Sequence, residues 1–163
     1  PNVVWVGTGE GKIRSHISLG QGVYRSVDAG RTWTLLGLEQ TGRIPRLVVH
    51  PDDPDTALVC ALGHAYGPQP ERGVFRTADG GKSWQHVLKV DSDTGACAVA
   101  VDPGSPDTVY AALYARRRTP WSYTGTSPKG GLFRSDDAGK TWKKLTQGLP
   151  ARTGRIVGDR QKL

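Results

Sequence analysis

The chain has 163 residues, with 22 Lys and Arg against 15 Asp and Glu for a net charge of +7. Its 22 Gly and 11 Pro, absence of Met and lack of long helical periodicity exclude a helical bundle and favour short strands joined by turns. No apolar run approaches the roughly 18 residues of a membrane-spanning helix, and the basic surplus, which would attract anionic partners, comes without any nucleic-acid-binding motif.

In chain order, "PNVVWVG" (1–7) reads as the second strand of a unit whose first strand is missing. After a polar insertion, Gly7–Gly22, the runs "GVYRS" and "TWTLL" flank a Gly-containing turn and predict a hairpin. Strands follow near Ile44–Val49, Thr56–Leu62, Gly73–Thr77 and Ser83–Lys89, then near Ala96–Val101, Thr108–Tyr114, Gly131–Ser135 and Thr141–Leu145. Alternation along "ACAVAVDP" puts Val99 and Val101 on one face and Ala96, Ala98 and Ala100 on the other. Cys60 and Cys97 lie in apolar strand-like runs without metal-ligand spacing and read as buried thiols, with a disulfide between them left open.

The turn recurs. Ser26, Asp28, Gly30, Thr32 and Trp33 match Thr77, Asp79, Gly81, Ser83 and Trp84, and again Ser135, Asp137, Gly139, Thr141 and Trp142. "DDPDT" and "GSPDT" recur in phase with them. An element present in every unit solves a problem that every unit shares, so the reading is structural. The aspartate can accept backbone N–H bonds, the glycine can take positive φ, and the indole can wedge between sheets.

Four strands per unit of about 50 residues predict an all-β, β-propeller-type fold with four-stranded antiparallel blades, about three of them. They divide as a partial blade at 1–37, complete blades at 43–90 and 95–147, and a further inner strand with an irregular tail at 154–163. Gly154–Val157 could pair with Val3–Gly7, or unpaired blade faces could meet in a homo-oligomer.

The triplicated motif resembles the Asp-box, or bacterial neuraminidase repeat, of sialidases, xyloglucanase-type glycoside hydrolases and sortilin-type receptor domains. "WVGTGEG", "VHPDDPDTALVCALGHAYGP", "ERGVFRTADGGKSW" and "ARRRTPWS" most resemble bacterial glycosyl hydrolase or sortilin-like repeat proteins. The resemblance implies a structural box on each outer hairpin and a parent protein that is secreted or periplasmic.

Strand direction puts the boxes on one rim and the insertions Gly7–Gly22, Gly63–Gly73 and Ala115–Gly131 on the other, where binding residues concentrate. Candidates there are Arg14, His16, His64, Tyr66, Arg72, Arg116, Arg117, Trp121 and Tyr123, types suited to carbohydrate or peptide ligands. The alternative is a glycoside hydrolase, which requires two carboxyl groups across the scissile bond; Glu10, Glu71, Asp91 and Asp93 are the candidates. Asp91 and Asp93 would equally make an Asx turn. His16, His50, His64 and His86 are too dispersed for a metal site, and no cofactor motif is present.

Overall fold

The computed structural model describes residues 2–12 and 18–156. It is all-β apart from one 3-10 turn, Glu39–Thr41. The first sheet has three antiparallel strands, β1 (Val4–Gly7), β2 (Val23–Ser26) and β3 (Thr34–Leu35). The second has four, β4 (Arg46–Val49), β5 (Ala57–Ala61), β6 (Gly73–Thr77) and β7 (Gln85–Leu88), in chain order. The third repeats that order with β8 (Thr94–Asp102), β9 (Ser105–Ala115), β12 (Gly131–Ser135) and β13 (Lys143–Leu145). Inside its long insertion lies a small hairpin, β10 (Arg117–Arg118) with β11 (Tyr123–Thr124). The sheets are propeller-type blades.

Register is shared across the repeat: Val4 faces Ser26, Ala57 faces Thr77 and Val109 faces Ser135. In each pair the Ser or Thr ends the strand that leads into the repeated Ser/Thr-x-Asp turn. Apolar side chains on both strand faces then pack sheet on sheet. Val23, Ile44 and Val59 with Trp5, Leu47 and Trp84 fill the first junction. Leu58, Cys60, Val74 and Leu88 meet Ala96, Val99, Val109, Leu113 and Phe133 in the second. β5 and β6 are buried along their whole length, each large side chain contributing about 1.5–3 kcal/mol.

Two readings need correction. A register shift between Ala96 and Ala98 puts Ala96 in the core with Val99, while Cys97 joins Ala98, Leu62, Ala112 and Tyr114 on the other face. The bulge adds one residue and so inverts the alternation upstream of it. Gly154–Ile156 lies beside the third sheet, where Ile156 packs on the cluster of Leu62, Cys97, Ala112 and Tyr114 and its carbonyl accepts from Cys97 Sγ; β1 pairs only with β2 among the described residues, and Val157 is outside them. Both cysteines are free and buried, and burial pushes the Cys97 thiol up to about 11.

One device ties sheet to sheet. Arg25 on β2 donates from Nη1 to Gly80 O, in the turn of the second sheet, and from Nη2 to Asp55 at 2.6 Å. Arg76, the equivalent residue on β6, donates from Nε to Ala138 O in the turn of the third sheet at 2.9 Å. Gly81 and Gly139, at φ +90 and +83, bring those turns so close that a Cβ would meet Leu36 and Leu58 at 2.4 and 2.7 Å.

Candidate functional site

The three repeated turns close on themselves in the same way. Ser26, Thr77 and Ser135 donate to the aspartate two residues on at 2.7 Å. The aspartates then accept the backbone N–H of Thr32, Ser83 and Thr141 at 2.8–3.0 Å and bond their hydroxyls as well. These bonds hold the carboxyl of Asp28 down to about 2 and those of Asp79 and Asp137 further below the carboxylate range, the following hydroxyl contributing most. Ala29, Gly80 and Ala138 each donate N–H to a carbonyl near the start of the neighbouring strand of their own sheet, those of Asn2, Asp55 and Asp107. In the second and third sheets the turn that leads into that strand therefore shares a rim with the repeated turn.

On the opposite rim, the insertions of the second and third sheets are stitched together. Arg118 N donates to Ala65 O, Gln69 N to Ser92 O and Arg116 N to Asp93 O. Arg72, fully buried, donates to the carbonyls of Leu62 and His64 at 3.0 and 2.7 Å and, more distantly, to Gly67 and Asp93. It is a staple for its loop; a ligand-contacting role for it is not what the geometry provides. His64 belongs to the same staple, its N–H donating to Gln69 Oε1 at 2.6 Å. Glu71 acts on the charge of half-buried His86. Arg14 and His16 lie outside the described residues.

Beside that staple, an open groove of about 610 Å³ is lined by Asp91, Asp93, Thr94, Ala115, Arg117, Thr119, Thr124, Thr126, Ser127, Pro128, Lys129 and Arg152. Asp91 Oδ1 accepts the N–H of Asp93 and Thr94 at 3.0 and 2.7 Å, and its Oδ2 lies 3.3 Å from Lys129 Nζ. Burial opposes ionisation, but the bonds from Thr94, Asp93 and Lys129 prevail and lower the Asp91 carboxyl. Asp93 Oδ1 pairs with Arg117 at 2.7 Å. β10 and β11 form the wall of the groove. Trp121 sits at their tip, where Thr119 N donates to Ser122 O, and is 86% exposed. Such exposure means that it pins no loop.

Next to the groove, across the strand from Arg117, Arg116 is buried with its Cζ 5.6 Å from the centre of the exposed Tyr123 ring. Arg43, just before β4, is also buried. Burial above all, then the Arg116 charge, pushes the Arg43 guanidinium below its ordinary range, while Glu10, Tyr114 and Tyr66 oppose that shift. Arg116, Glu10, Tyr114 and Tyr66 thus act on the charge of one residue that sequence reasoning missed. Its signal was "TGRI" at 41–44, which recurs at 153–156 with "TGAC" at 94–97 in the same phase. No group of acidic, His or Cys side chains fit for a metal ion occurs among the described residues.

The comparisons agree with this architecture. A xyloglucanase of a Paenibacillus species is 29% identical over 146 residues, 84% of this chain and 13% of its own length. A probable oligoxyloglucan-reducing end-specific xyloglucanase of Neosartorya fischeri is 30% identical over 153 residues, 82% of this chain and 17% of its own length. The chain thus spans about one-sixth or less of these relatives. In solved structures, the GH74 xyloglucanase of Xanthomonas campestris matches with TM-score 0.57 and 24% identity over 90% of this chain and 19% of its own. An ancestral GH74 enzyme matches with TM-score 0.56 and 21% identity over 77% and 15%. The Sortilin-Vps10 family, described as sortilin, neurotensin receptor 3, matches residues 20–151, and the chain belongs to that family.

Proposed function

We propose that the insertion rim of this propeller segment binds a carbohydrate chain. The observation that carries the reading is the open groove lined by Thr119, Thr124, Thr126 and Ser127, with the exposed indole of Trp121 at the tip of its hairpin wall: the hydroxyls suit the edge of a sugar and an exposed indole its apolar face. Similarity to proteins named xyloglucanases makes a plant-type glucan the first ligand to try, and an extracellular setting fits that substrate. No helix among the described residues is long and apolar enough to cross a membrane.

Binding is favoured over hydrolysis by the state of the carboxylates. A glycosidase needs one carboxyl raised so that it carries a proton to the leaving oxygen. Asp91 is held in the opposite sense by two amides and Lys129, and Asp93 is paired with Arg117. Calorimetry with xyloglucan oligosaccharides beside a reducing-sugar assay tests the reading. Binding without turnover, weakened about tenfold in Trp121→Ala, is the expected result. Turnover lost in Asp93→Asn with the fold intact would establish the hydrolase instead.

A further inference from the structure

The second and third sheets each tie their insertion to the link that precedes the sheet, but with different chemistry. In the second sheet the tie is neutral: buried Gln69 donates from Nε2 to Gln40 O and accepts the N–H of His64 on Oε1. In the third sheet charges open to solvent take that place. Asp91 and Asp93, in the link between β7 and β8, hold one leg of the insertion each. Arg117 of the near leg lies 2.7 Å from Asp93 and Lys129 of the far leg 3.3 Å from Asp91, with 26–64% of each side chain exposed. The link is braced, since Asp91 Oδ1 accepts the N–H of Asp93 and Thr94. Backbone bonds from Arg116 N to Asp93 O and from Arg118 N to Ala65 O help to hold the near leg, while Lys144 Nζ on Pro128 O and a bridge from Ser127 to Thr153 help to hold the far one. Between the legs lie only the two-residue strands β10 and β11, a hairpin too short to fix its own position. All four ion-paired residues line the groove.

We propose that Asp91 and Asp93 form an ionic clasp that sets the width of the groove, so that its affinity for a neutral glycan falls as salt rises. The inference rests on the carbohydrate-binding reading and adds the regulation of that site. A neutral sugar has no charge of its own for salt to screen. The clasp does: the Debye length shrinks from about 10 Å at 0.1 M to about 3 Å at 1 M, and solvent-exposed pairs weaken with it. Two pairs this exposed shift an equilibrium by about threefold to tenfold. Apparent affinity follows the fraction of molecules with both legs in place. Asp91, Asp93, Arg117 and Lys129 are therefore positioning residues, acting on the sugar through the wall that carries Trp121.

The test is calorimetry with a neutral xyloglucan oligosaccharide at about 0.05 M and about 1 M sodium chloride, the range over which exposed pairs are screened. The unsubstituted chain should bind about threefold more weakly at the higher salt. Arg117→Gln combined with Lys129→Gln should bind at that weaker level in both solutions, because no pair is left to screen. Asp93→Asn and Arg117→Gln should each weaken binding at low salt by the same factor, and the two together by no more. Were Asp93 a direct sugar contact instead, Arg117→Gln would free it and the two factors would differ. Exchanging the partners, Asp93→Arg with Arg117→Asp, should restore the salt-sensitive affinity. An affinity of the unsubstituted chain that ignores salt overturns the clasp, as does a double Gln variant that still loses affinity with salt. Binding in neither solution overturns the carbohydrate reading instead.

Discussion

Asp28, Asp79 and Asp137 act through hydrogen bonds at the surface, and their low pKa values give that role a pH signature. In the unfolded chain the same carboxyls titrate near the ordinary value of about 3.9. The folded state binds fewer protons, so their stabilisation is complete above the ordinary range and is lost as pH falls through it toward about 2 for Asp28 and lower for the others. Melting temperature should therefore drop between about pH 5 and pH 2, with the slope reduced in a triple Asp→Asn variant. Asp53 and Asp91, lowered by their own hydrogen bonds, account for what slope is left. Asp79→Ala should accelerate exchange of the Ser83 amide by about tenfold or more, since that N–H then loses its acceptor. The bonding of these turns could be anticipated because three copies separate a shared need from a local accident. Arg43 could not, because one arginine at the start of an apolar strand reads as ordinary solvation until the fold buries it against Gly63 O.

At the scale of strands, alternation and turn residues located every strand of the two four-stranded sheets to within a few residues, since each is bounded by Gly, Pro or Asp. What alternation lacks is a count of inserted residues, so the bulge near Cys97 was invisible and Ala96 was put on the wrong face. The hairpin of β10 and β11 escaped for another reason: two-residue strands of Arg, Tyr and Thr carry no period. The arginines on β2 and β6 were likewise legible as a repeat in "GVYR" and "GVFR", though not as ties between sheets, because their acceptors are backbone carbonyls of the following unit. Arg76→Ala removes a part-buried charged bond to Ala138 O and should cost about 1.5–3 kcal/mol in urea unfolding. Arg134→Ala removes an exposed pair with Asp136 and a loose contact with the Tyr110 ring, and should stay within about 1 kcal/mol. Equal losses would mean that the contact between sheets contributes nothing beyond the side chain itself.

For the molecule as a whole, the junction made twice inside it has two halves. The forward half is an arginine over an aromatic or aliphatic side chain, Arg25 with Trp5 and Arg76 with Leu58; the rear half is a turn carbonyl, its glycine and the following tryptophan. Trp84 shows the fit, its Nε1 donating to Leu36 O at 2.7 Å and its ring meeting Trp5 edge to face. Among the described residues one of each half is uncovered: Arg134 over Tyr110 on the third sheet, and Ala29, Gly30 and the 42% exposed Trp33 on the first. The two halves are complementary and differ from each other, so a contact that joined them between copies would run head to tail, into rings or open chains. Sedimentation velocity across a hundredfold range of concentration should therefore show mass-dependent association. Arg134→Ala with Trp33→Ser should abolish it without loosening the second junction. A chain that stays monomeric throughout that range would mean that the uncovered halves need a more exact partner than another copy offers.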